Sequence, residues 1–343
     1  MNSYYDYSNH LVYGIQSDTV RFIWAGFYIA VFLSSIIGDP AILVASIRYN
    51  AFRLNFVLVV IMQYIAVHDL ILAVAAPFTR AVSIIAEKWV FGEYLCVFNV
   101  YINYHSLCAS NLLISALTTS KAVMLTCPLQ TRIWTRNLRK GHHMICLIIW
   151  IISLTVPILF FIIDKDDVYV DYRSYTCAYG YSADAWKFLL PMTAAIFSFI
   201  PFITIIVTTI PCLKFLLEAR DVARRSRGSV RWQGVLTVVF TAAVYCISIL
   251  PITVYYIAAQ HVVEEPPGLF YIYFYRIGAS FTTLNIMCNF YIYSLTVTSF
   301  REFLRDRSRL IVSYFSCSVS DQVAPNALMY LPSNQGSILR LSF

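Results

Sequence analysis

Apolar segments long enough to cross a bilayer recur seven times in this chain, at about 22–48, 54–85, 92–126, 141–163, 187–217, 230–260 and 269–297. A crossing helix needs about 20 predominantly apolar residues. Hydrocarbon cannot solvate backbone N–H and C=O groups, so a spanning segment is a helix or part of a closed barrel. Uninterrupted apolar runs of this length predict helices. Charged residues make up 13% of the chain and mean hydropathy is +0.68, where a soluble domain carries about 25% charge. The expected fold class is an all-α membrane protein, a seven-transmembrane helix bundle.

Orientation follows from the basic residues. With the N-terminus outside, the inner side receives eighteen of the 25 Lys and Arg residues. The outer side keeps Arg21, Lys88, Lys165, Arg173 and Lys187, while Arg80 and Arg276 lie near outer helix ends. Positive residues concentrate in cytoplasmic loops, so this pattern predicts N-terminus out and C-terminus in. The net charge of +7 then reports topology and contact with anionic inner-leaflet lipid, not nucleic-acid binding. Met1–Gln16 lacks a basic stretch followed by an apolar one, so no cleavable signal peptide is expected. Of nine cysteines, Cys96 and Cys177 alone fall on the oxidising side, which predicts that they pair.

The third segment organises the rest. From Cys96 to Cys127-Pro128-Leu129 one helix would rise about 45 Å, at 1.5 Å per residue. It carries Asn99, Asn103, His105, Ser106, Ser110, Asn111, Ser115, Thr118, Thr119, Ser120 and Lys121. A lipid-facing helix could not hold these cheaply, so this one is central and shows polar faces to its neighbours. Asp39 in span one and Asp69 in span two are intramembrane carboxylates, functional by default. Pro40 and Pro77 mark tolerated kinks, and Pro157, Pro201 and Pro251 lie in spans four, five and six.

Three regions are expected: an extracellular tail over 1–21, a seven-helix domain over 22–310, and a cytoplasmic tail over 311–343. The tail cluster Ser3-Tyr4-Tyr5-Asp6-Tyr7 is either a sulfation site or a solvated segment. Residues 299–310 set Phe300, Phe303, Leu304 and Leu310 against basic residues at helical spacing, an amphipathic eighth helix at the inner membrane face. Cys317 beyond it is a lipidation candidate.

Taken together, the chain resembles a rhodopsin-like G-protein-coupled receptor over residues 22–310. The likeness rests on Gly38 with Asp39, Ala66–Asp69, Trp89, Cys96 with Cys177, Pro128-Leu129 and Trp150. It continues through Pro201, Pro251, Asn285, Asn289 with Tyr293, and Phe300. No one of these is specific; their order across seven spans is. The resemblance implies a multi-pass plasma-membrane receptor whose partners are an extracellular ligand, a heterotrimeric G protein, arrestin and membrane lipid. Lys121, Pro201, Tyr245, Pro251, Asn289 and Tyr293 take the activation and coupling positions.

This chain departs from the family pattern at several of those positions. Asp39 stands where Asn is usual, and Ser120-Lys121-Ala122 where Asp-Arg-Tyr is usual. Ile249 replaces the sixth-span Trp, Phe290 the seventh-span proline, and Thr209 the fifth-span Tyr. Lys121 cannot give the planar fork of Arg, and it either meets a G protein or reaches the inner headgroups. An atypical receptor that traps ligand or recruits arrestin without G-protein activation is the competing reading.

The resemblance places ligand contacts at Arg80, Tyr101, Asn103, Tyr104, Tyr255, Tyr256, Gln260, Tyr275 and Arg276. Two arginines among tyrosines suit a peptide carboxylate, the favoured ligand, or an anionic lipid or nucleotide. The arginines could equally pair with Glu264, Glu265 or the acidic outer loop Asp164–Lys187, which sets Asp164, Asp166, Asp167, Asp171 and Asp184 around Cys177. A retinal Schiff base has no lysine, since Thr283 holds that position, and an amine has no acid at Asn103. No metal-ligand spacing, nucleophile elbow or phosphate loop appears, so no enzyme is expected. No repeated broken helices point to a transporter. No cofactor is expected apart from the sodium ion that the resemblance implies at Asp69, Ser110, Asn285 and Asn289, oxygen ligands that suit a hard cation. Asp39 beside Asp69 would make that pair share a proton or hold the cation more tightly.

Overall fold

The computed structural model describes residues 18–48, 56–127, 139–164, 168–171, 176–179, 195–225, 233–259 and 269–309. One compact unit runs to Arg301 and a second begins at Glu302. Seven apolar stretches form the helical spans. α1 is Asp18–Arg48; α2 is Phe56–Ala73, continued through a widened turn Val74–Phe78 into α3, Thr79–Ala86. α4, the central helix, is Gly92–Thr126, and α5 is Arg139–Asp164. A second widened turn, Ala195–Phe199, leads into α6, Ile200–Arg225; α7 is Gln233–Ala259 and α8 is Leu269–Thr296. Among the described residues, five helices are long and apolar enough to cross a membrane. Residues 298–309 are also helical. In the second unit, the Arg307 guanidinium lies 5.8 Å from the Phe303 ring centroid.

Polarity runs opposite to that of a soluble protein. Ile37, Ile47 and Leu295 are exposed at 67%, 70% and 73%, whereas Asp39, Asp69, Asn111 and Asn289 are buried at 1% or less. Apolar residues outside and polar residues inside are the arrangement that lipid selects.

The polar stripe of α4 has a specific cause. Prolines lack the N–H that would bond the carbonyl four residues back, so each kink in a neighbour leaves an acceptor that lipid cannot satisfy. Pro201 frees the Phe197 carbonyl, and the Asn111 amide donates to it at 2.6 Å. Pro157 frees the Ser153 carbonyl, and His105 faces it. In the widened turn that holds Pro77, Asn99 donates to the Ala75 carbonyl, and the Thr79 hydroxyl donates there at 2.7 Å. The central helix thus repairs the broken turns of the helices packed around it.

A two-stranded hairpin adds to the helices: β1, Val168–Asp171, pairs antiparallel with β2, Thr176–Tyr179. Val170 sits opposite Cys177, and Cys177 is bonded to Cys96 with Cα atoms 5.4 Å apart. The bridge ties the hairpin to the first turns of α4. Around it pack Val100, Cys108 and Phe197, with Trp89, Tyr101, Tyr104 and Leu112 half-buried against them.

Candidate functional site

At the Cys96 end, α1, α2–α3 and α8 bring hydroxyls around one cation. The Arg80 guanidinium lies 5.8 Å from the Tyr28 ring centroid, a spacing at which cation and ring attract. Its Nη1 donates to the Thr283 hydroxyl at 3.5 Å. The Tyr28 and Ser280 hydroxyls are 3.1 Å apart. Arg80 is thus held by a ring from α1 and a hydroxyl from α8. Tyr101 and Tyr104 line the disulfide cluster instead. The Asn103 amide turns back along its own helix, donating to the Asn99 carbonyl at 2.7 Å and side-chain oxygen at 2.9 Å. Gln260 and the side chains of Tyr255, Tyr256, Tyr275 and Arg276 lie outside the described residues, as do residues 1–17, 310–343, Glu264 and Glu265.

The bundle centre holds two carboxyl groups. Ser35 donates to Asp39, and Asn289 Nδ2 donates to Asp69 Oδ2 at 2.6 Å. Asp39 and Asp69 are electrostatic neighbours, and the Tyr293 phenol feels both. Asp39 Oδ1 and Asn289 Oδ1 are buried with no hydrogen-bond partner. Among the described residues no cationic side chain pairs with either carboxyl. Asn285 is buried and Ser110 half-buried. The donor set is hard oxygen throughout, the ligand chemistry that a small hard cation takes. Groups of three or more His, Cys, Asp or Glu able to hold a metal are absent among the described residues.

The Tyr245 hydroxyl donates to Asn111 Oδ1 at 2.5 Å. Asn111 also lies 3.3 Å from the Ser198 hydroxyl. One amide therefore joins α4, the turn before α6, and α7. Pro201 and Tyr245 meet through it. Phe290 packs on Gly38, where an added Cβ would lie 2.7 Å from the Phe290 Cβ and Cγ. Its ring stands edge-on to Phe300 at 6.1 Å.

At the other end, Lys121 lies beside Cys212. Ala122, Cys212 and Val235 form a buried seam of α4, α6 and α7. Hydroxyl pairs cross between helices: Thr208 to Thr118 at 3.0 Å and Thr237 to Thr296 at 2.8 Å. Pro251 sits within an unbroken α7. Sequence reasoning singled out neither Asn111 nor these threonines as functional. A search for polar residues facing each proline-freed carbonyl would have found Asn111. Nothing in the one-dimensional pattern pairs the threonines.

A helical bundle with a polar interior, an outward apolar face and a disulfide from the central helix to a hairpin defines a seven-helix receptor. The family described as 7 transmembrane receptor (rhodopsin family) matches residues 41–299, and the chain belongs to that family. It is therefore a multi-pass plasma-membrane receptor and not an enzyme. Over 203 residues it is 27% identical to proteinase-activated receptor 1 of Papio hamadryas and to that of Homo sapiens. The alignment covers 56% of this chain and 44% of each relative. The chain thus spans a little under half the length of these curated relatives.

Proposed function

We propose that this receptor binds an extracellular ligand at its Cys96 end and signals through heterotrimeric G proteins at its Lys121 end. The N-terminus is outside and the basic Lys121 end cytoplasmic, the orientation that the loop charges favour. The observation that carries the ligand reading is Arg80, stacked on Tyr28 and bonded to Thr283. A planar, always-charged donor fork set among hydroxyls suits a carboxylate. The ligand class is a peptide that presents an acidic group.

Ser120-Lys121-Ala122 and Phe290 favour a second reading, a receptor that engages arrestin without activating G protein. A screen of peptide ligands against wild type and Arg80→Gln, read in parallel by G-protein dissociation and arrestin recruitment, separates the two. The proposal expects both readouts to respond, with potency falling at least tenfold in Arg80→Gln for acidic ligands. Arrestin recruitment alone establishes the second reading. Equal potency on both receptors removes Arg80 from the ligand site.

A further inference from the structure

We infer that Arg21 and Glu87 are a positioning pair for the ligand site: their ion pair sets α1 in register against α3 and so places Tyr28 under Arg80. The consequence for acidic ligands rests on the reading of Arg80 given above.

Two stripes of side chains face each other. Arg21, Ala25 and Tyr28 recur at the spacing of one helical face on α1, and Arg80, Ile84 and Glu87 do so on α3 and its cap. Arg21 Nη1 donates to Glu87 Oε1, and the Arg80 guanidinium lies over the Tyr28 ring. The stripes therefore run antiparallel. Seven residues separate the two contacts on each helix, two turns and about 10.5 Å of rise. Ala25, Tyr28, Ala81 and Ile84 fill the interval as one buried cluster. Because the spacing is equal, both contacts belong to a single register. A slip of one residue would turn the Tyr28 face by about 100°. Tyr28 carries the register on to α8 through the Ser280 hydroxyl at 3.1 Å.

The backbone shows that the carboxylate of residue 87 is used. Glu87 has φ 57° and ψ 16°, and its N–H caps the Ser83 carbonyl. Among the described residues it is the one non-glycine with positive φ. A helix end of this shape is filled without strain by glycine. A glutamate persists there where its surroundings over-determine it, and Arg21 supplies that constraint. Its Nη2 pairs with Asp18 Oδ1 at 3.1 Å, and its guanidinium lies 5.2 Å from the Phe22 ring centroid. The Arg21 side chain is 16% exposed, against 58% for Glu87. The cation is covered and held from three sides, so it serves to fix α1.

The test uses the full chain in lipid nanodiscs, as wild type, Glu87→Gln, Glu87→Gly, Arg21→Gln and the double variant Arg21→Gln with Glu87→Gln. Glu87→Gly keeps the left-handed cap and removes only the carboxylate. Hydrogen–deuterium exchange is read over residues 22–30, on the helix opposite residue 87. Acid preference is read as the unfolding-midpoint shift given by pooled tetrapeptides with a free C-terminal carboxylate against the same pool as C-terminal amides. Loss of one partly exposed ion pair corresponds to a factor of about five. Exchange about fivefold faster in both Glu87 variants, no faster again in the double variant, and a matching fall in acid preference support the pair. Unchanged exchange in both Glu87 variants, or additive effects in the double variant, overturn it. So does faster exchange with acid preference intact, where Arg80→Gln loses that preference. Faster exchange with no acid preference in wild type, or with the same preference in Arg80→Gln, supports the pair and counts against the ligand reading instead.

Discussion

The Tyr245 hydroxyl and the Asn111 amide oxygen are bonded at 2.5 Å inside the bundle, while the same amide satisfies the Phe197 carbonyl that Pro201 leaves free. One side chain thus couples α7 to the kinked start of α6. Tyr245→Phe keeps the ring and removes the donor, leaving a buried acceptor unmet at about 1–3 kcal/mol. Asn111→Ala also strands Phe197 O, so its loss is larger. Thermal unfolding should rank wild type above Tyr245→Phe above Asn111→Ala. Identical midpoints for the three would show that the bond carries no stability.

The seven spans were legible because burial in lipid leaves a one-dimensional mark: long apolar runs with few charges. The Cys96–Cys177 pairing was legible because compartment arithmetic left two candidates. The π-type turns at Val74–Phe78 and Ala195–Phe199 were not, because a proline announces a kink but not the extra residue that accommodates it. Nor was the role of Asn111. Its place in the polar stripe of α4 was plain, but its partners come from two other helices, and sequence spacing says nothing about which neighbour a face meets. The hairpin that carries Cys177 was read only as an acidic loop. Short alternating strands leave a faint pattern among polar residues.

Gly38 is required by Phe290 rather than by backbone conformation. A methyl at residue 38 would meet the Phe290 Cβ and Cγ at 2.7 Å, closer than van der Waals contact. Gly38→Ala is expected to destabilise by about 1–3 kcal/mol through overpacking. Combined with Phe290→Ala, which opens the space, the two should be strongly non-additive, as contacting residues are. Additive losses in a double-mutant cycle would mean the neighbouring helices shift to absorb the methyl.

The Cys96–Cys177 bridge spans 81 residues of sequence, and closing a loop of that size contributes about 4 kcal/mol through chain entropy. It also positions the hairpin beside Tyr101 and Tyr104. Cys96→Ala should lower surface expression and ligand binding together. Normal surface levels with undiminished binding would show that the hairpin docks without its covalent tie.

Asp39 and Asp69 bury two carboxyl groups inside the helical bundle. The two buried carboxyls are electrostatic neighbours, with one described donor each, Ser35 and Asn289. Two like charges in a low-dielectric interior repel unless a countercharge joins them. We propose sodium as that countercharge, held by Asp69 with Ser110, Asn285 and Asn289, and more tightly because Asp39 adds a second carboxylate. Binding to the folded receptor alone raises stability, by about 2.7 kcal/mol when sodium stands at a hundred times its dissociation constant. The unfolding midpoint should therefore rise when sodium replaces N-methylglucamine at constant ionic strength. Agonist binding should weaken in the same exchange, because the ion favours the resting arrangement. Asp69→Asn should remove both effects. Asp39→Asn should retain them at higher sodium, since it restores the family pattern and lowers the local negative charge. A wild-type midpoint indifferent to the cation would rule out sodium binding, and Asp39→Asn matching wild type across the titration would remove Asp39 from the site.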